Sequence, residues 1–137
     1  MGRMPKRPAS STSASCPCGL PASYAECCGR FHRGEAKPPT AELLMRSRYS
    51  AFAVQDEAYL LSSWHPSTRP PAVGFEPGMR WEGLTIVGTT GGSAFDKQGT
   101  VEFRARYTQG GRDGEMHEVS RFVRDGGAWS YLNGTVD

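Results

Sequence analysis

No stretch of this sequence stays apolar for the length that a bilayer crossing needs. The segment from Met1 to Ser15 has no apolar core either, so it does not read as a secretory leader. Charge of one sign is also lacking. Sixteen basic residues stand against 14 acidic ones, and a formal +2 is too small to argue for nucleic acid. Cysteine is absent after position 28, so disulfides would staple almost none of the chain. Together these absences point to a soluble, cytoplasmic protein. A chain of 137 residues, 37% hydrophobic and 22% charged, is enough for one folded domain with a modest core. Its 17 glycines and 10 prolines imply frequent tight turns.

What cysteine there is lies close together. Cys16-Pro17-Cys18-Gly19 is followed, after a loop that ends at Glu26, by Cys27-Cys28. In a reducing compartment such clusters are ligands more often than cystines, and a bridge between the adjacent Cys27 and Cys28 would be strained. Cys16, Cys18, Cys27 and Cys28 are therefore expected to hold one ion tetrahedrally, at about 2.3 Å per bond if it is zinc. An all-thiolate set also accepts iron. Four protein ligands leave no open position, so the ion would be structural. His32 is the alternative to Cys28 as fourth ligand, because neighbouring cysteines do not easily reach one ion together; otherwise it is an exposed side chain. Gly19 and Gly29 each follow a cysteine and permit tight turns there, and Arg30, Arg33 and Lys37 are near enough in sequence to offset thiolate charge.

Three regions follow from the patterning: a disordered tail at 1–15, the knuckle at 16–35, and an α+β domain at 36–137. Pro38-Pro39 marks the boundary, and Thr40 caps a helix expected from Ala41 to Val54. Leu44, Met45, Ala51 and Phe52 share its apolar face, with Arg48 in the middle of it and Arg46 outside it. Asp56 caps a second helix, expected from Glu57 to Trp64, before Pro66. From Arg80 the period becomes two. Strands are expected at Trp81–Thr90, Thr100–Thr108, Glu115–Arg124 and Ala128–Asn133, joined by glycine-rich turns into an antiparallel meander. Two helices packed on one curved sheet of about four strands is the layout this order implies.

The residues also carry a resemblance. Cys16-Pro17-Cys18-Gly19 with Cys27-Cys28-Gly29 resembles the SEC-C knuckle, although the loop from Leu20 to Glu26 lacks that motif's lysines. Leu44 to Phe52, Trp64-His65-Pro66-Ser67-Thr68, Trp81 to Ile86 and Ser120-Arg121-Phe122 then resemble the YchJ family of small bacterial proteins. The resemblance implies a nuclear-transport-factor-two-like cone behind the knuckle, and zinc. It brings no established activity.

A buried Arg48 needs a partner, and Glu118, which shares a strand face with Ser120 and Phe122, is the expected one. If the cone is hollow, Arg48, His65, Glu118, Ser120 and Tyr131 would supply its polar groups, and a small anionic ligand would suit Arg48. His65 has no nucleophile beside it in sequence, so no catalytic residue is assigned. The expected function is non-enzymatic: a zinc-binding module that presents its knuckle to another protein, in secretion or protein quality control. A ligand-binding or enzymatic cone with a pocket near Arg48 and His65 is the alternative.

Overall fold

The computed structural model describes residues 14–136. Most of the tail expected at 1–15 lies outside them. Ala14 and Ser15, however, belong to the knuckle, where Ser15 bridges Ser23 and Ala14 O accepts from Tyr24 N at 2.8 Å. Three helices, α1 (Cys28–His32), α2 (Ala41–Val54) and α3 (Glu57–Ser62), precede four strands: β1 (Met79–Gly91), β2 (Gln98–Gln109), β3 (Arg112–Asp125) and β4 (Ala128–Val136). None of the helices is long and apolar enough to cross a membrane.

The central helix starts where its cap is. Thr40 is extended, and its hydroxyl accepts from Leu43 N at 3.2 Å, which satisfies one of the free amides of the first turn. The helix stops at Gln55, whose left-handed backbone (φ 59°, ψ 48°) turns the chain out of it. Asp56 immediately caps α3 through Tyr59 N at 3.0 Å.

The strands form one antiparallel sheet in the order β1-β2-β3-β4. Gly110-Gly111 and Gly126-Gly127 all have positive φ, as a two-residue turn matched to strand twist requires, so β2, β3 and β4 follow one another by tight hairpins. Irregular register between Trp81 and Gly83, and again between Ile86 and Gly88, bends β1. The sheet curls, and α2 lies along its concave side. Ala41, Leu44, Met45 and Tyr49 pack there against Val101, Phe103, Ala105, Phe122 and Trp129.

α3 ends at Ser62, two residues short of the expected Trp64. The backbone at 63–65 has another partner: Tyr131 N donates to Ser63 O, and His65 N donates to Tyr131 O, both at 2.8 Å. Trp64 thus pairs with Tyr131 as a short parallel bridge, and strand pairing outcompetes another helical turn.

Candidate functional site

The knuckle brings all four thiols together. The sulfurs of Cys16, Cys18, Cys27 and Cys28 lie within 4.8 Å of one another and are buried, with Cys18 and Cys27 at 3.7 Å. Four sulfurs at about 2.3 Å from a common ion would be about 3.8 Å apart, so the donor set fits a tetrahedral metal. The adjacent pair converges because Cys27 is the non-helical residue before α1 (φ −109°, ψ −107°), which brings its sulfur to the side Cys28 faces. Gly29 is needed at the next position: a Cβ there would lie 2.7 Å from Tyr24 O, the carbonyl that receives Gly29 N.

Crowding makes these thiols interdependent. Hydrogen bonds from Cys18 and Cys28 hold Cys16 well below the ordinary thiol range. Burial and then the neighbouring charges push Cys27 up to about 12. Hydrogen bonding to Cys16 and Cys18, and then burial, push Cys28 upward too. Four thiolates can coexist here only around a cation. Such an ion would supply folding energy, with no coordination position left for chemistry.

His32 is neither a ligand nor exposed. Its side chain is 4% accessible. Nε2 donates to Ser47 O at 2.9 Å, so Nδ1 is left to accept from the Tyr24 hydroxyl at 2.6 Å. Its ring also packs on Tyr59. His32 therefore ties the knuckle to α2. Of the bases expected around the thiolates, Arg30 is in place, donating to Cys27 O at 3.2 Å, whereas Arg33 pairs with Glu35 at 2.8 Å and Lys37 is exposed. Arg46 reaches the cluster from α2 as well. Its Nη1 donates to Cys18 O at 2.7 Å, while its Nε holds Glu42 at 3.0 Å. The only sequence signal for it was its place off the apolar arc. Arg46→Met should lower stability by about 1.5–3 kcal/mol, the worth of a charged hydrogen bond, and should loosen any ion held by the four cysteines in competition with a chromophoric chelator.

Beyond the knuckle, α2 and the concave sheet enclose a cavity of about 290 Å³. Its walls are largely apolar, with Tyr49, Phe52, Trp81, Phe103 and Phe122 among them, and Arg48, Glu118, Ser120 and Tyr131 supply polar groups. The expected Arg48–Glu118 ion pair does not form. Arg48 Nη1 donates to Leu60 O at 2.8 Å and to Ser63 Oγ at 2.7 Å, and the guanidinium lies over the rings of Trp64 (4.8 Å) and Tyr131 (4.5 Å). Burial brings its pKa down to about 10, so it remains a cation at neutral pH. Two nearby carbonyl and hydroxyl acceptors and two ring faces thus take the place of a counter-charge. Glu118 instead accepts from the Ser120 hydroxyl at 2.5 Å and from the Tyr131 hydroxyl at 3.2 Å. Burial and then the charge of Glu118 push Tyr131 up to about 12, so its proton stays in place.

His65 is not part of this cavity. Its Nδ1 accepts from Ser67 N at 3.1 Å, and its Nε2 accordingly donates to Asp125 Oδ2 at 2.8 Å. Together with Thr68 Oγ1, which donates to Leu132 O at 2.6 Å, it fastens the 63–68 segment to β3 and β4. The pocket near Arg48 and His65 expected from the sequence is therefore a pocket near Arg48 and Glu118.

This architecture, a cysteine knuckle on a cone, can be compared with known proteins. The family described as "YchJ, middle NTF2-like domain" matches residues 40–134. The chain belongs to the YchJ family. A UPF0225 protein of Streptomyces avermitilis is 64% identical over 121 residues, covering 88% of this chain and 84% of the relative. A second UPF0225 protein, from Corynebacterium glutamicum, is 51% identical over 122 residues, covering 89% and 97%. Among solved structures, a SEC-C motif containing protein from Rhodopseudomonas palustris superposes with a TM-score of 0.78 at 30% identity, over 88% of this chain and 96% of that one. Another, from Psychrobacter arcticus, gives 0.75 at 26% identity, over 93% and 85%. The α+β cone with an N-terminal cysteine cluster is thus this YchJ-family chain's fold, and the cluster is a candidate metal site. None of these likenesses carries an activity.

Proposed function

We propose that this protein binds a small, flat, mostly apolar molecule inside the cone, and that a zinc ion in the knuckle holds the helix that roofs it. The observation that carries this reading is the cavity itself. A volume of about 290 Å³ is near the lower end of the range for small-molecule sites, and suits a ligand of one or two fused rings. Aromatic walls with few polar groups favour such a ligand over the small anion that Arg48 first suggested. Arg48 already has two hydrogen-bond acceptors and two rings. Trp64 Nε1, buried and without a hydrogen-bond partner among the described residues, is a donor that a ligand could use. A cytoplasmic setting would keep the thiols reduced for the ion.

The knuckle as a recruiter of another protein, in secretion or quality control, is supported by the SEC-C resemblance and by no contact in the fold. Its inner face is occupied by α2: Cys16 Sγ lies 3.5 Å from Ser50 Oγ, and Arg46 and His32 bridge the same interface.

Indole is a suitable probe for the cavity. It should raise the thermal midpoint of the intact chain in a concentration-dependent way. Ala105→Leu, which grows a side chain from a buried wall residue into the space, should abolish that rise without lowering the ligand-free midpoint by more than a few degrees. An equal indole response in both proteins would place binding elsewhere.

A further inference from the structure

Glu118 has features that a merely structural carboxylate would not need. It forms no salt bridge among the described residues, although Arg48 lines the same cavity. Both hydrogen bonds it receives, from Ser120 and Tyr131, fall on Oε2. Oε1 takes none from a described residue. Gly134 makes room for this arrangement, since a Cβ there would collide with Glu118 Oε2. Two hydrogen bonds therefore hold one oxygen of a carboxylate that lines the cavity, and the other oxygen has no donor among the described residues.

Resting on the binding reading above, we propose that Glu118 is a general base, and that the cavity takes an apolar carbon acid. Such a substrate is a small, largely unsaturated molecule with an acidic C–H beside an electron-withdrawing group. Oε1 removes the proton. The C–H bond breaks, and its electron pair moves into the adjoining unsaturated group, leaving an anion. Returning the proton to another carbon of the same molecule completes an isomerisation that needs no oxidant or co-reactant. The Arg48 guanidinium, which lines the same cavity from α2, offsets the charge that develops on the substrate. Ser120 and Tyr131 are positioning residues, which hold the carboxylate without competing for the reactive oxygen. A fixed base beside a bound substrate is the arrangement that proton transfer requires.

The experiment uses the full chain, purified without chelator, and 5-nitrobenzisoxazole as probe. Loss of its ring C–H proton to a base forms a nitrile, breaks the N–O bond and releases a coloured phenolate, again with no co-reactant. The intact chain should open the ring at least tenfold faster than the same concentration of acetate at the same pH. Glu118→Gln should bind indole as the intact chain does but lose at least nine-tenths of that rate. If Glu118→Gln keeps the rate, or the intact chain matches acetate while still binding indole, the general base is refuted and the binding site survives. If neither protein binds indole and neither opens the ring, both readings fall.

Discussion

Stripping the metal from the full chain should lower its stability by about 3–5 kcal/mol, a fall of roughly 10–20 °C in thermal midpoint for a chain of this size. The reason lies in the interface that an ion held by the four cysteines would maintain. Without a cation, the four crowded sulfurs cannot all remain thiolates. The loop from Cys16 to Cys28 has almost no other core, with Leu20 and Tyr24 its partly buried apolar companions among the described residues. Once the knuckle opens, α2 loses the Arg46–Cys18 and His32–Ser47 hydrogen bonds, and the buried Phe31 loses its place. Cys18→Ser, which removes a ligand from a fully buried position, should reproduce the loss without chelator. Calorimetry before and after chelation, with elemental analysis of the same samples, measures both. A midpoint that does not move when the metal is gone would mean that the knuckle is an appendage, and the recruiter reading would gain. Elemental analysis also decides between zinc and iron, which the donor set alone leaves open.

Arg48→Ala should cost about 3–5 kcal/mol, read as a fall in urea midpoint at unchanged slope. Several losses coincide. Leu60 O loses its charged donor and keeps only the longer bond from Ser63 Oγ at 3.2 Å, a loss of about 1–3 kcal/mol. The stacks on Trp64 and Tyr131 vanish, each worth about 1–2 kcal/mol when desolvated. The truncated side chain also enlarges an existing cavity. One effect opposes these. The depressed pKa of Arg48 is the mark of a desolvation penalty that the folded state carries at neutral pH, and removing the charge relieves it. Arg48→Met keeps most of the volume and sheds that penalty, so it should lose roughly half as much as alanine. A methionine variant as stable as the native chain would show that packing alone matters here and that the hydrogen bonds to Leu60 and Ser63 contribute nothing.

These two residues, Cys18 and Arg48, show how much could be read in advance. The sulfur cluster was legible because ligand spacing is local: Cys16-Pro17-Cys18 and Cys27-Cys28 must lie within a short loop of one another whatever the rest does. That Cys27 and Cys28 both converge was harder to see, because it depends on an unusual backbone at Cys27 for which sequence gives no sign. Arg48 was recognised as a charge within an apolar arc. Its partners were not, because Leu60 and Ser63 are ordinary residues brought to it by the angle between α2 and α3. His32 was misplaced, and the reach of Arg46 went unforeseen, for the same reason: each contacts a residue at least 15 positions away, through a backbone carbonyl that any residue would offer.

The sequence by itself determined the two helices of the cone, its four strands and their order, though not the short α1 inside the knuckle. A threonine and an aspartate cap two helices, alternation marks four strands, and paired glycines close the hairpins; each is a local property of a few consecutive residues with period 3.6 or 2. Only the tertiary structure decided that the cone is hollow, that His65 belongs to a strand clamp outside it, and that Glu118 stands apart from Arg48. A cavity is the space that remains when a helix is laid on a curved sheet, and its volume is the small difference between what the layers enclose and what their side chains fill. No single segment contains that difference, so no reading along the chain can supply it.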